Sequence, residues 1–368
     1  MSRAARNIVL ATALVAATGL SFAARQGSNA PLTNPLAVSV LADAARTQAF
    51  MGTVQLKITN NSNEIVKVPY WQLPGASSES KLFQVLRNGE PVDFLGMMVK
   101  RGAPTEAELV TFQPRETKVV SVNLADSYDL SRSGNYTIAF QSYLDGARTA
   151  SGRRLGDSAG RMASLGSPAL SLYVDADNRL NSLNGNRKPP SSSIVYQNGV
   201  GYAACTSTQI SGASAGLSKA REYSQNARGY LTAGTVGPRY TTWFGAYTSA
   251  RYSTANQHFV AIDNAMDQSN NSIIIDCSCK QSYYAYVYPT QPYRIYVCSA
   301  FWSAPTQGTD SKGGTLIHEM SHFNVVAGTD DHVYGQSGAK SLAISNPTNA
   351  LDNADNHEYF AENTPSQN

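Results

Sequence analysis

Between His318 and Gly335 the chain reads HEMSHFNVVAGTDDHVYG, which sets two imidazoles four residues apart beside three carboxylates, a third imidazole and a phenol. On a helix, residues four apart lie on one face, so His318 and His322 can offer their rings to one metal ion. Glu319 lies roughly 100° further round, outside the ligand plane but within reach of a water on that metal, where a general base belongs. An HExxH string alone also arises by chance around surface or core histidines. The surroundings favour a metal: Leu316, Ile317, Met320, Phe323 and Val326 space out a buried helical face, and Gly328 is expected to end the helix.

A catalytic zinc takes three protein ligands and leaves one position open. Val325 and Gly328 stand where a metzincin needs its glycine and third histidine, which excludes that pattern. Glu358 and Glu362 are the acids that a thermolysin-like arrangement would draw from a second helix. Asp331 follows the turn residues Gly328 and Thr329, and a turn of that length can fold a carboxylate back toward the histidine face.

HExxH followed by GTxDxxYG, here residues 328 to 335, resembles the signature of the deuterolysin and peptidyl-Lys metalloendopeptidase family, the aspzincins, and matches it at every fixed position. The resemblance implies one zinc ion per chain held by His318, His322 and Asp331. It implies Glu319 as the base that activates water and Tyr334 as the hydroxyl that steadies the oxyanion. Asp330 is then expected to shape the turn, and His332 to be exposed or to support the ligands.

Further on, NADNHEYFAEN carries Asp355 and Glu358, three residues apart and on one face if the segment is helical. By themselves they also read as a solvated acidic helix end. In peptidyl-Lys members an aspartate and a glutamate in such a segment select lysine beyond the scissile bond, so the resemblance implies lysine at P1′. Carboxylates suit that side chain because its point charge finds a counterion while its alkyl stem is buried. An aspzincin of broader specificity is one alternative, and a secreted binding or adhesion protein with an inactive zincin domain is the other.

The four cysteines, Cys205, Cys277, Cys279 and Cys298, suggest disulfides behind an export signal. Three pairings exist, and Cys277 is too close to Cys279 to bond comfortably. The Cys277-Ser278-Cys279 spacing is shorter than structural zinc sites use, which argues against a second zinc. The family resemblance implies Cys205 with Cys277 and Cys279 with Cys298. At the start, Arg3 and Arg6 precede an apolar run from Ile8 to Phe22 and then Ala23 and Ala24, the pattern of a signal peptide over residues 1–24. That run is short and only modestly apolar, and no later segment approaches membrane-spanning length, so a secreted, soluble protein is expected without a membrane partner. A net charge of +3 with no dense basic stripe, and no phosphate-binding loop, gives nucleic-acid binding no support.

A chain of 368 residues suits two domains. From 36 to 175, β-rich runs such as GTVQLKITNNS, TKVVSVNL and NYTIAFQSYL recur, separated by turns such as Asn88-Gly89; they predict an antiparallel β-sandwich over 25–177. Residues 178–200, rich in Asn, Gly, Pro and Ser, read as a linker and a natural processing site. In 201–368, STQISGASAGLSKAREYSQNARGYL is an amphipathic helix, and YTTWFGAYTSARYSTANQHFVAIDNAMDQSN holds at least one more. YAYVYPTQPYRIYVC is a hairpin whose tyrosines pack across strands, or whose edge aligns a peptide substrate by strand addition. The whole is an α+β zincin-like catalytic domain behind an all-β N-terminal domain. Residues 192–368 carry 9 Lys and Arg against 12 Asp and Glu, while residues 1–191 carry 20 against 14. Such opposite charge suits docking across the cleft, making the N-terminal domain an intramolecular inhibitor or a folding aid. With no cysteine before Cys205, a thiolate on the zinc cannot be the means.

Overall fold

The computed structural model describes residues 35–41, 52–75, 79–157, 161–174 and 193–368. The expected signal peptide and most of the expected linker lie outside them. Among the described residues, the N-terminal region forms three small antiparallel sheets. One orders Leu36–Leu41, Thr53–Asn60 and Thr117–Asn123; a second orders Arg148–Thr149, Val66–Pro69 and Leu109–Phe112. The third is built around Gly134–Tyr143, which pairs with Phe83–Arg87, Ser164–Gly166 and Leu170–Val174. Period-two alternation turns Val54, Leu56 and Ile58 inward on one strand and Tyr136, Ile138 and Phe140 on another. Asn88 and Gly89 both take positive φ, the conformation of a tight hairpin.

The C-terminal part is organised on a six-stranded sheet in the order Ile194–Gln197, Val200–Ala203, Ile274–Asp276, Arg294–Val297, Ala285–Val287, Met98–Lys100. The second, third and fourth strands run parallel, and the outer strands are antiparallel. Two features depart from the sequence reading. Ile194–Gln197, inside the expected linker, is an edge strand, because Asn198 and Gly199, both at positive φ, make a hairpin turn where their composition suggested a loose tether. Met98–Lys100, from the N-terminal region, supplies the opposite edge, so the two regions share one sheet.

The expected long helix is Ser207–Thr232. Thr206 and Gln209 form a capping box, and Ile210, Ala213, Leu217, Ala220, Ala227 and Leu231 line its buried stripe. Ser249–Met266 packs beside it, and the hairpin is formed by Ala285–Val287 and Arg294–Val297 with Tyr286 stacked on Tyr296 at 4.6 Å. Disulfides Cys205–Cys277 and Cys279–Cys298 clip the strand ends of this sheet. Among the described residues no helix is long and apolar enough to cross a membrane.

Candidate active site

The helix Lys312–Ser321 runs through the centre of the C-terminal part, with all ten residues buried. Ser311 caps it by accepting from Gly314 N–H at 3.0 Å, and itself donates N–H and Oγ to Glu362 at 2.9 and 2.7 Å. A side chain at Gly314 would collide with the Glu362 carboxylate, so glycine lets this helix approach Ala354–Glu362 closely. The helix ends at Ser321, about two turns before the expected stop at Gly328. Thr329 N–H donates to the Ser321 carbonyl at 3.1 Å, and the two hydroxyls lie 2.6 Å apart. Val325 and Val326 add poor helix propensity there, so the chain folds back early and leaves Val325 exposed.

That early turn carries Asp331 onto the histidines. Its Oδ1 lies 3.2 Å from His318 Nε2 and 3.4 Å from His322 Nε2, and all three groups are buried. Ligand atoms around a tetrahedral zinc with bonds of about 2.0–2.1 Å lie about 3.3 Å apart, so the spacing fits that ion. Each ring is held in the required tautomer. His322 Nδ1 bonds the Thr329 carbonyl at 2.7 Å, and His318 Nδ1 sits 2.8 Å from Asp355 Oδ1, leaving both Nε2 atoms to face Asp331. His318 Nε2, His322 Nε2, Asp331 Oδ1 and both Glu319 oxygens are buried without a hydrogen-bond partner among the described residues. Five converging orphan atoms are costly unless a cation and water complete them. Burial pushes the Glu319 carboxyl up to about 7, in the range suited to exchanging a proton near neutrality.

Two other groups of acids and histidine lie close by. His318, Asp355 and Glu358 converge on the far side of the His318 ring, and Asp330, His332 and Asp352 form a third group. Both contain an ammonium. Lys100 Nζ lies 2.5 Å from Glu358 Oε2 and 3.4 Å from Asp355 Oδ1 and Asp310 Oδ1; Lys81 Nζ lies 2.9 Å from Asp330. Asp355 and Glu358 are therefore buried in the core of the site, not a solvated helix end. Burial opposes the charge on Lys100, yet Asp355, Glu358 and Asp310 together hold its pKa well above the usual range. Its ammonium also faces the rings of Tyr284 and Tyr359 at 5.2 and 5.7 Å. Tyr334 donates its hydroxyl to the Val99 carbonyl at 2.8 Å. His332 turns away, pairing with Asp352 at 2.9 Å, and Asp330 ties the turn to the Asp352 backbone.

Comparison with known proteins fits this geometry. A family model described as lysine-specific metallo-endopeptidase, the aspzincins, matches residues 230–362. An extracellular protease of Aeromonas hydrophila is 43% identical over 320 residues, covering 86% of this chain and 89% of its own. The chain belongs to the aspzincin family. A peptidyl-Lys metalloendopeptidase of Pleurotus ostreatus is 50% identical over 166 residues, 45% of this chain and 97% of its own. A solved zinc peptidase from Grifola frondosa, 47% identical, is matched over 45% of this chain and 100% of its own with a TM-score of 0.43. As an aspzincin the protein is a zinc metalloendopeptidase.

Several residues of this aspzincin site escaped the sequence reading. Thr329 orients His322, and Asn353 Oδ1 accepts from His332 and Val333 N–H at 2.8 and 3.1 Å, fixing the loop that bears Asp331 and Tyr334. Asp310 is a third acid on the Lys100 ammonium. Glu362 holds Ser311, the cap of the histidine helix, and Glu358 faces Lys100 on the Nδ1 side of His318, away from the Nε2 atoms, so the thermolysin-like alternative finds no ligand here. Thr329 lies within the motif, a signal that points to it although its role did not follow from the sequence; Asp310 and Lys100 have no local signature.

Proposed function

We propose that this aspzincin is a secreted endopeptidase that cuts proteins on the N-terminal side of lysine, with one zinc ion held by His318, His322 and Asp331. Asp331 Oδ1 lies 3.2 and 3.4 Å from the two histidine Nε2 atoms, without an ammonium among them, and this supports the zinc assignment. The specificity rests on one observation: a lysine side chain, Lys100, is already fully buried against Glu358, Asp355 and Asp310 next to that metal position. A relative named for peptidyl-Lys cleavage and another named an extracellular protease agree with lysine at P1′ and with export, as does the pattern of residues 1–24.

Zinc bound there supplies a Lewis acid that polarises the scissile carbonyl and acidifies water. Glu319 takes a proton from the attacking water and delivers it to the departing amine. Tyr334 donates its hydroxyl to the carbonyl oxygen as negative charge grows on it. Asp355 and Thr329 keep the imidazoles aimed, while Glu358 and Asp310 receive the lysine ammonium. We assign the all-β N-terminal region, taken as a sandwich over 25–177, to inhibition of this site.

Mass spectrometry of peptides released from a denatured protein tests the reading. New N-termini should be lysine throughout; scattered termini would keep the peptidase and remove the lysine assignment.

A further inference from the structure

The strand Met98–Lys100 lies antiparallel to Ala285–Val287, in the register Met98 to Val287, Val99 to Tyr286 and Lys100 to Ala285. Three contacts then fix the two residues that flank the Val99–Lys100 bond. The Val99 carbonyl accepts from the Tyr334 hydroxyl at 2.8 Å, the Val99 N–H donates to Asp331 Oδ2 at 3.1 Å, and the Lys100 side chain fills the acidic pocket of Glu358, Asp355 and Asp310. A foreign peptide with lysine after its scissile bond would need that same sheet edge, hydroxyl and pocket. The rest of the N-terminal region also grips the loop that bears Asp331 and Tyr334. Lys81 pairs with Asp330, and Asp145 Oδ2 accepts from Tyr334 N–H at 3.2 Å, while Lys81–Leu86 and Gln141–Tyr143 wall a cavity of about 320 Å³ beside Asp331 and Tyr334.

We propose that Met98–Lys100 is an internal substrate, that it closes the cleft to other proteins, and that Val99–Lys100 is the first bond the enzyme cuts. The proposal rests on the lysine reading of the pocket. Cleavage is a simple hydrolysis. The hydroxyl of one water adds to the Val99 carbonyl carbon, the bond to the Lys100 nitrogen breaks, and Glu319 carries the water's proton to that nitrogen, leaving a Val99 carboxylate and a Lys100 α-amine. Until then Lys100 competes with every external lysine at an effective concentration set by the fold.

Two measurements on the full chain test it. First, zinc is added to the purified protein and intact masses are followed: a fragment beginning at Lys100 should appear at a rate independent of protein concentration, and not in Glu319→Gln. A chain that stays whole, or is cut first elsewhere, overturns the assignment of the bond. Second, fluorescence anisotropy follows a labelled peptide with a central lysine, and its leucine counterpart, on uncut Glu319→Gln protein. Adding Lys100→Gln or Lys100→Ala should tighten the lysine peptide at least tenfold. Equal binding with and without the Lys100 change overturns the occupied cleft. If the opened protein binds both peptides alike, the lysine reading fails; if it prefers lysine but the first cut lies elsewhere, only the internal substrate fails.

Discussion

The two faces of the His318 ring carry acids of the same kind in opposite states. On the Nε2 side Asp331 and Glu319 face buried atoms with no cation among the described residues; on the Nδ1 side Asp355 and Glu358 face the ammonium of Lys100. The third acidic group, around Asp330, holds Lys81. A buried carboxylate is tolerated only with a partner. The difference therefore separates what the chain supplies for itself from what it takes from solution: its own lysines complete the Asp355 and Asp330 groups, and a metal is left to complete the Asp331 group.

The largest effect is expected on the metal side. Glu319→Gln should keep one zinc per chain by elemental analysis while hydrolysis of a lysine peptide falls by about 10²–10⁴-fold or more; unchanged turnover would remove Glu319 from the chemistry. Asp355 joins the two sides, since it touches both His318 and Lys100. Asp355→Asn should weaken zinc about 10–100-fold in a chelator competition and also blunt lysine preference. Glu358→Gln should leave zinc affinity unchanged and cut discrimination between lysine and leucine peptides by about tenfold or more, read as the ratio of kcat/KM values. If Glu358→Gln instead lowers zinc affinity as Asp355→Asn does, the two faces are not separable.

The smallest effect concerns how the regions meet. Burial lifts the Asp145 carboxyl to about 6, above its ordinary value of 3.8. An acid whose folded pKa is raised binds more protons folded than unfolded between about 4 and 6, so stability is greatest below that window and falls as pH rises through it. Denaturant melts of the intact chain should show this slope, worth less than about 2 kcal/mol given its partial exposure, and Asp145→Asn should remove it.

The catalytic face was legible because its chemistry is local. His318 to Asp331 spans one helix and one turn, and the apolar spacing of Leu316, Ile317 and Met320 announces the helix. Its end was misread because the Ser321–Thr329 contacts that stop it depend on the fold of the turn. The pocket face was legible only in Asp355 and Glu358, which share a helix. Asp310 and Lys100 reach the same point from separate elements, and three residues of strand give no periodicity to read. The hairpin tyrosines illustrate both outcomes: Tyr286 packs on Tyr296, while the backbone of its strand takes Met98–Lys100 as a partner.

A zinc-edge anomalous map from crystals of the zinc-loaded, uncut Glu319→Gln full chain shows where the metal sits. One peak should lie about 2.0–2.1 Å from His318 Nε2, His322 Nε2 and an Asp331 oxygen. A peak on the Nδ1 face of His318 between Asp355 and Glu358, or in the Asp330, His332 and Asp352 group, would contradict it.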